Sequence, residues 1–148
     1  MATSKHIRQS QPPDAALDVL MDQAHAMIAG ALNQELQLLG MTVAQHVVIV
    51  NLANSRSESI AALCKMLAYD PGAMTRMITR LERKGLVTRL RTSGNNRAIT
   101  LELTAAGLQI YPKLVDSVSR VLNRLMAGFT PAETRKLKKL LHKLLSTI

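Results

Sequence analysis

The amino-acid sequence predicts a mostly α-helical fold interrupted by one β-hairpin. Apolar residues recur at steps of three and four over most of the chain. The period falls to two only between Leu86 and Thr104, where β-branched residues and arginines alternate with leucines. No apolar run reaches the ~18 residues that a bilayer span requires, so a membrane partner is not expected.

The 148 residues suffice for one compact domain with a real core. The opening MATSKHIRQSQPPD has no apolar segment of the kind a secretory signal needs. A cytoplasmic location is the resulting expectation. The single cysteine, Cys64, excludes an internal disulfide.

Residues 1–13 are polar with two prolines and read as a flexible tail. From Asp14 the positions Leu17, Leu20, Met21, Ala24, Ile28, Ala31, Leu32 and Leu36 form one helical stripe, which Gly40 ends. Thr42 is placed to cap a second helix through Val43, Val47, Ile49, Val50 and Leu52. Asn54-Ser-Arg-Ser reads as a turn, and Ser59 then caps a short helix from Ile60 to Leu67. Tyr69-Asp70-Pro71-Gly72 breaks that helix, and a fourth follows as far as Gly85, its C-terminal cap. Leu86–Arg91 and Ala98–Thr104 are the two strands, with Thr92-Ser-Gly-Asn-Asn between them as the turn. Thr104 begins a long helix, and Thr130-Pro-Ala-Glu133 combines a capping box with a first-turn proline to open the last.

Short helix, tight turn, helix and hairpin in that order describe a winged helix-turn-helix. It is predicted over 41–104 as the DNA-binding region, flanked by a helical dimerisation region over 14–40 and 105–148. The flanking helices carry more apolar surface than a small winged domain can cover. Packing of Leu17, Leu20, Leu137, Leu140, Leu141 and Leu144 against a twofold-related copy is the economical solution, and predicts a homodimer.

Lys and Arg outnumber Asp and Glu by 19 to 10, a formal charge of +9. The excess is uneven: residues 1–55 carry −2, whereas residues 56–97 carry +6. Such a concentration favours a polyanion. With only Tyr69, Tyr111 and Phe129 as aromatic residues, stacking on unpaired bases is poorly supplied, and double-stranded DNA is the better match. Within the fourth helix, Arg76, Arg80 and Arg83 fall in a sector roughly 60° wide, and Met74, Met77, Ile78 and Leu81 centre about 150° away. Thr75 and Thr79 flank the arginines on one side and Ala73 and Lys84 on the other. Arginine donates in pairs to guanine O6 and N7, and threonine suits a base edge or a thymine methyl. Ala73 permits close approach, and the N-terminal amides can meet a phosphate. On the hairpin, Arg89 and Arg91 share a strand face suited to phosphates, and Asn95, Asn96 and Arg97 sit at the tip, suited to the minor groove. The competing reading of all these charges is an ordinary solvated surface.

At these residues the sequence resembles the MarR family of bacterial transcription regulators. DPGAMTRMITRLERKGLVTRL resembles the family's recognition helix and first wing strand, and GMTVAQHVVIVNL its second helix. AITLELTAAG resembles the second wing strand and the start of the fifth helix, and FTPAETRKLKKLLHKLL the closing dimerisation helix. The resemblance implies a homodimeric repressor or activator on a pseudo-palindromic operator, released by small phenolic or aromatic acids or by oxidants. It implies DNA contacts for Arg76, Arg80 and Arg97. The family's Asp-x-Arg wing motif here reads Asn95-Asn96-Arg97, without the carboxylate that braces neighbouring arginines.

No phosphate loop, zinc motif, nucleophile elbow or triad is present in the sequence, so no catalytic residue, cofactor or metal is expected. Cys64 reads as a structural thiol. His25 and His46 are candidates to hold an acidic effector beside the dimer interface, or are simply two polar side chains. A constitutive regulator without effector and a winged protein-interaction module remain the alternatives.

Overall fold

The computed structural model describes residues 13–56, 58–91 and 99–147. They form α1 (Pro13–Gln37), α2 (Val43–Ser55), β1 (Glu58–Ser59), α3 (Ile60–Leu67), α4 (Pro71–Arg83), β2 (Val87–Arg91), β3 (Ile99–Leu103), α5 (Ala105–Leu125) and α6 (Pro131–Leu145). The tail, apart from Pro13, and the whole wing tip lie outside the described residues. No helix described is long and apolar enough to cross a membrane.

Five helices begin where a short polar side chain satisfies amides that lack an intrahelical acceptor. Thr42 Oγ1 accepts from the Gln45 amide at 3.2 Å, and Gln45 Oε1 accepts from the Thr42 amide at 3.2 Å. Ser59 caps α3 through the Ala62 amide at 3.0 Å, and Thr104 caps α5 through Gly107 at 3.1 Å. Thr130 and Glu133 close the expected reciprocal box at 3.2 and 2.8 Å. Asp70 does more than break the chain: its carboxylate accepts the Ala73 amide at 2.9 Å, with Pro71 at the first helical position.

Gly40 and Gly85 end α1 and α4 in the left-handed conformation, at φ 66° and 70°. In each case the glycine amide and the next amide reach back to carbonyls of the last turn. The bonds are Gly40 to Gln37 (2.9 Å) and Met41 to Leu36 (3.0 Å), then Gly85 to Glu82 (2.8 Å) and Leu86 to Leu81 (3.0 Å). Leu36, Met41, Leu81 and Leu86 all belong to the buried core, so each helix end is closed by hydrogen bonds and by apolar packing together.

β2 and β3 form the expected hairpin, in register from Val87↔Leu103 to Arg91↔Ile99. A third strand appears that the sequence pattern did not reveal. Glu58 and Ser59 pair with Leu101 and Thr100, giving the antiparallel order β1-β3-β2. Two residues are too few to display a period, and Ser59 also caps α3, which masks its strand role. The turn expected over Asn54–Ser57 starts later than read: α2 runs to Ser55, and Arg56 makes the turn at φ 66°. Ser57 lies outside the described residues.

The core gathers Leu32 and Leu36 of α1, Val48, Ile49 and Leu52 of α2, Leu63 of α3, the apolar face of α4, and Leu101, Leu114 and Val121. α5 is tied to α1 by Arg120, whose Nη2 lies 2.7 Å from Glu35 Oε1 and 3.0 Å from Ser117 Oγ. α6 contributes no buried residue. Leu137, Leu140, Leu141 and Leu144 are exposed in the protomer, and so are Leu17 and Leu20 on the N-terminal half of α1. A long apolar groove runs between α5 and α6, lined by Leu122, Met126, Phe129, Leu137, Leu141 and Leu145.

Candidate nucleic-acid interface

α4 is anchored by one face. Met74, Ile78 and Leu81 are fully buried and Met77 nearly so, each contributing ~1.5–3 kcal/mol of gross apolar burial. The opposite face presents Arg76, Arg80 and Arg83, all exposed. With Thr75 and Thr79 they border one shallow hollow. Arg80 is central, since it also lines a hollow shared with Ala73, Arg76 and the start of α2, and a cleft shared with Arg83 and the α1–α2 corner. Among the described residues the ion pairs are Arg89–Glu82 and Arg120–Glu35, so none of the three α4 arginines is neutralised by a carboxylate. Like charges three and four residues apart repel by a few tenths of a kcal/mol per pair, roughly 0.2–0.5. A polyanion laid across them relieves that repulsion.

The threonines are partly committed. Thr75 Oγ1 donates to the Pro71 carbonyl at 2.9 Å, and Thr79 Oγ1 to the Thr75 carbonyl at 3.0 Å. With each hydroxyl proton bonded to the backbone, these side chains offer a methyl group and an acceptor lone pair. Ala73 is half-buried. Its amide, expected to be available to a phosphate, is taken by the Asp70 carboxylate, which adds a negative charge at that helix end.

Arg89 is placed differently from the expectation. Its Nη1 lies 3.1 Å from Glu82 Oε2 and its Nη2 lies 3.4 Å from Thr79 Oγ1, so it turns onto α4 and is half-buried. Arg91, two residues along the same strand face, is exposed. Asn95, Asn96 and Arg97 lie outside the described residues.

The remaining links hold α4 and the wing base in place. Lys84 Nζ donates to the Gly40 carbonyl and to Gln45 Oε1 (3.3 Å), fastening the end of α4 to the α1–α2 corner. Thr104 Oγ1 donates to the Gly85 carbonyl, and its amide donates to the Leu86 carbonyl at 3.0 Å. A Cβ built on Gly107 would lie 2.2 Å from the Leu86 oxygen. Only glycine lets the start of α5 approach the α4–wing link so closely.

The MarR family model matches residues 41–99. The chain is 30% identical over 132 residues to the HTH-type transcriptional repressor Rv2887 of Mycobacterium tuberculosis, spanning 88% of this chain and 94% of that protein. It is 34% identical over 115 residues to the multiple antibiotic resistance protein MarR of Escherichia coli, 77% of this chain and 80% of that one. A crystal structure of a cysteine-to-serine variant of that E. coli protein with operator DNA superimposes with a TM-score of 0.79, at 30% identity and covering 88% and 94% of the two chains. The chain belongs to the MarR family. It is a DNA-binding transcription regulator and not an enzyme.

Within this MarR-family fold, the two histidines are not brought together by any hydrogen bond among the described residues. His25 is exposed on α1, and His46 is half-buried on α2. The buried Nδ1 of His46 has no hydrogen-bond partner among the described residues, and burial holds its imidazole below the ordinary value of 6.5. Cys64 is half-buried against the core. What the sequence did not reveal is the role of Glu82, Lys84 and Gly107. Nothing local marks Glu82, and Lys84 reads only as a flank of the arginine sector; both roles rest on partners in other elements. Gly107 carried a local signal, a glycine in the first turn of a helix, where it lowers helix propensity.

Proposed function

We propose that this MarR-family protein is a homodimeric repressor that reads a pseudo-palindromic operator through Arg76, Arg80 and Arg83 and is released by a small aromatic or phenolic effector. The observation that carries the reading is the arginine trio: exposed, without carboxylate partners among the described residues, and set on a helix whose other face is buried. Arg91 supplies backbone attraction beside it, and the wing-tip Arg97 extends the contact to the minor groove. Repression is supported by the Mycobacterium tuberculosis relative, which is named a transcriptional repressor. Dimerisation is supported by the exposed leucines of α1 and α6, whose cover a second copy supplies. The effector part rests on His46, a half-buried imidazole on α2 whose buried Nδ1 has no partner among the described residues, so that an effector hydroxyl opening the site would supply the missing donor, with His25 on the neighbouring helix.

Fluorescence anisotropy on a labelled duplex from upstream of the protein's own gene, against a shuffled duplex and across a salt series, tests the reading. A specificity ratio of ~10³ or more with a steep negative salt slope is the expected result. Equal binding to operator-derived, genome-selected and shuffled duplexes would overturn it. In the same assay, a hydroxybenzoic acid is expected to lower operator affinity. No effect across a series of phenols and aromatic acids would leave a constitutive regulator.

A further inference from the structure

We infer that Arg89 is a positioning residue and not a phosphate ligand: its guanidinium braces the wing against the recognition helix and cancels Glu82, the one carboxylate within that helix beyond its Asp70 cap. The inference rests on the DNA-reading assignment of α4 above. Glu82 is the only acidic residue in α4. It lies on the last turn, on the same flank as Thr75 and Thr79, about 120° from Arg76 around the helix axis. Left alone, its charge would face the incoming phosphates. Arg89 meets it at 3.1 Å and reaches Thr79 Oγ1 at 3.4 Å, so both terminal nitrogens are engaged on α4.

The link between the two elements is short and contains Gly85 in the left-handed conformation, where the backbone turns from helix to strand. A guanidinium bonded across that corner limits how far β2 can swing. Thr79 in turn bonds Thr75, and Thr75 bonds Pro71, so the brace feeds into a ladder along the flank of α4. The two charged side chains retain 31% and 28% of their exposure, which shields the pair from solvent more than an open surface pair. Were Arg89 to turn to a phosphate, Glu82 would be stranded beside the same backbone, so the exchange brings little gain.

The test measures operator and shuffled-duplex affinity across a salt series for Arg89→Ala, Arg89→Lys, Glu82→Gln and the Glu82→Gln/Arg89→Ala double variant. Arg89→Ala is expected to weaken operator binding about ten-fold with an unchanged salt slope. The double variant is expected to recover most of that loss. Arg89→Lys keeps the charge but loses the forked geometry, and falls in between. A slope shallower by about 0.9 for Arg89→Ala, with no recovery in the double variant, would overturn the inference and make Arg89 a phosphate contact. Amide hydrogen exchange of Val87–Arg91 without DNA supplies the second arm. Faster exchange is expected in either single variant and no further increase in the double. Exchange equal to the parent in both singles would overturn the brace by itself. Failure of the parent protein to prefer any duplex would instead sink the proposed operator reading, with the exchange arm still deciding the brace.

Discussion

α4 and α6 are written in nearly the same code and meet opposite fates. Each is short, starts with a capped first-turn proline and sets apolar residues against Lys and Arg. In α4 the apolar face is sealed into the core and the charged face is left open. In α6 no residue is buried, and leucines and lysines alike meet solvent in the protomer. An amphipathic pattern states that a face must be covered; it does not state what covers it. For α4 the cover is supplied by the same chain, through α3 and β2. For α6 no such cover comes from the described residues, and the proposed second copy is what would supply it.

The largest expected effect breaks this contrast directly. Ile78→Ala removes a fully buried side chain and is expected to destabilise the protein by about 2–5 kcal/mol in denaturant unfolding. Leu140→Asp, on the exposed stripe of α6, is expected to halve the mass in sedimentation and abolish the concentration dependence of the melting temperature. An unchanged mass would mean that α6 is not where the copies meet.

Next comes the joint between the two regions. Gly107→Ala forces a methyl group against the Leu86 carbonyl and is expected to cost about 1–3 kcal/mol of stability. Full stability in that variant would show that the start of α5 slides freely over the wing base. On the DNA-facing side, Arg80→Ala is expected to cost about 1–3 kcal/mol of operator binding and to relax sequence preference. Equal losses on operator and shuffled duplexes would remove its base-reading role. The smallest effect concerns His46. Its folded imidazole titrates below the ordinary 6.5, so the unfolded chain takes up a proton first as pH falls. The His46 contribution is complete above pH 6.5 and is lost as pH drops towards the folded value. His46→Gln is expected to flatten stability over that window, and an unchanged pH profile would show that the buried imidazole does not govern it.

Much of the fold was legible because its signals are local. Thr42, Ser59, Thr104 and Thr130 each sit one residue before a helical stripe, and Gly40 and Gly85 sit just after one. The arginine sector of α4 follows from helical spacing alone. The brace at Arg89 was not legible, because a strand arginine and a helix glutamate seven residues apart meet only once the Gly85 corner has been turned. The commitment of the Ala73 amide to Asp70 was hidden because the Asp-Pro-Gly string reads equally well as a break and as a cap. β1 escaped because two residues have no periodicity.

By itself, then, the sequence determined the helices, the caps at Thr42, Ser59, Thr104 and Thr130, the hairpin and the face on which α4 carries its arginines, because capping and amphipathic spacing act over three or four residues. Tertiary structure alone decided which charges are paired and which stay open. That choice separates Arg89, held by Glu82, from Arg76, Arg80 and Arg83, and it depends on distances of a few ångströms between segments that no local pattern encodes.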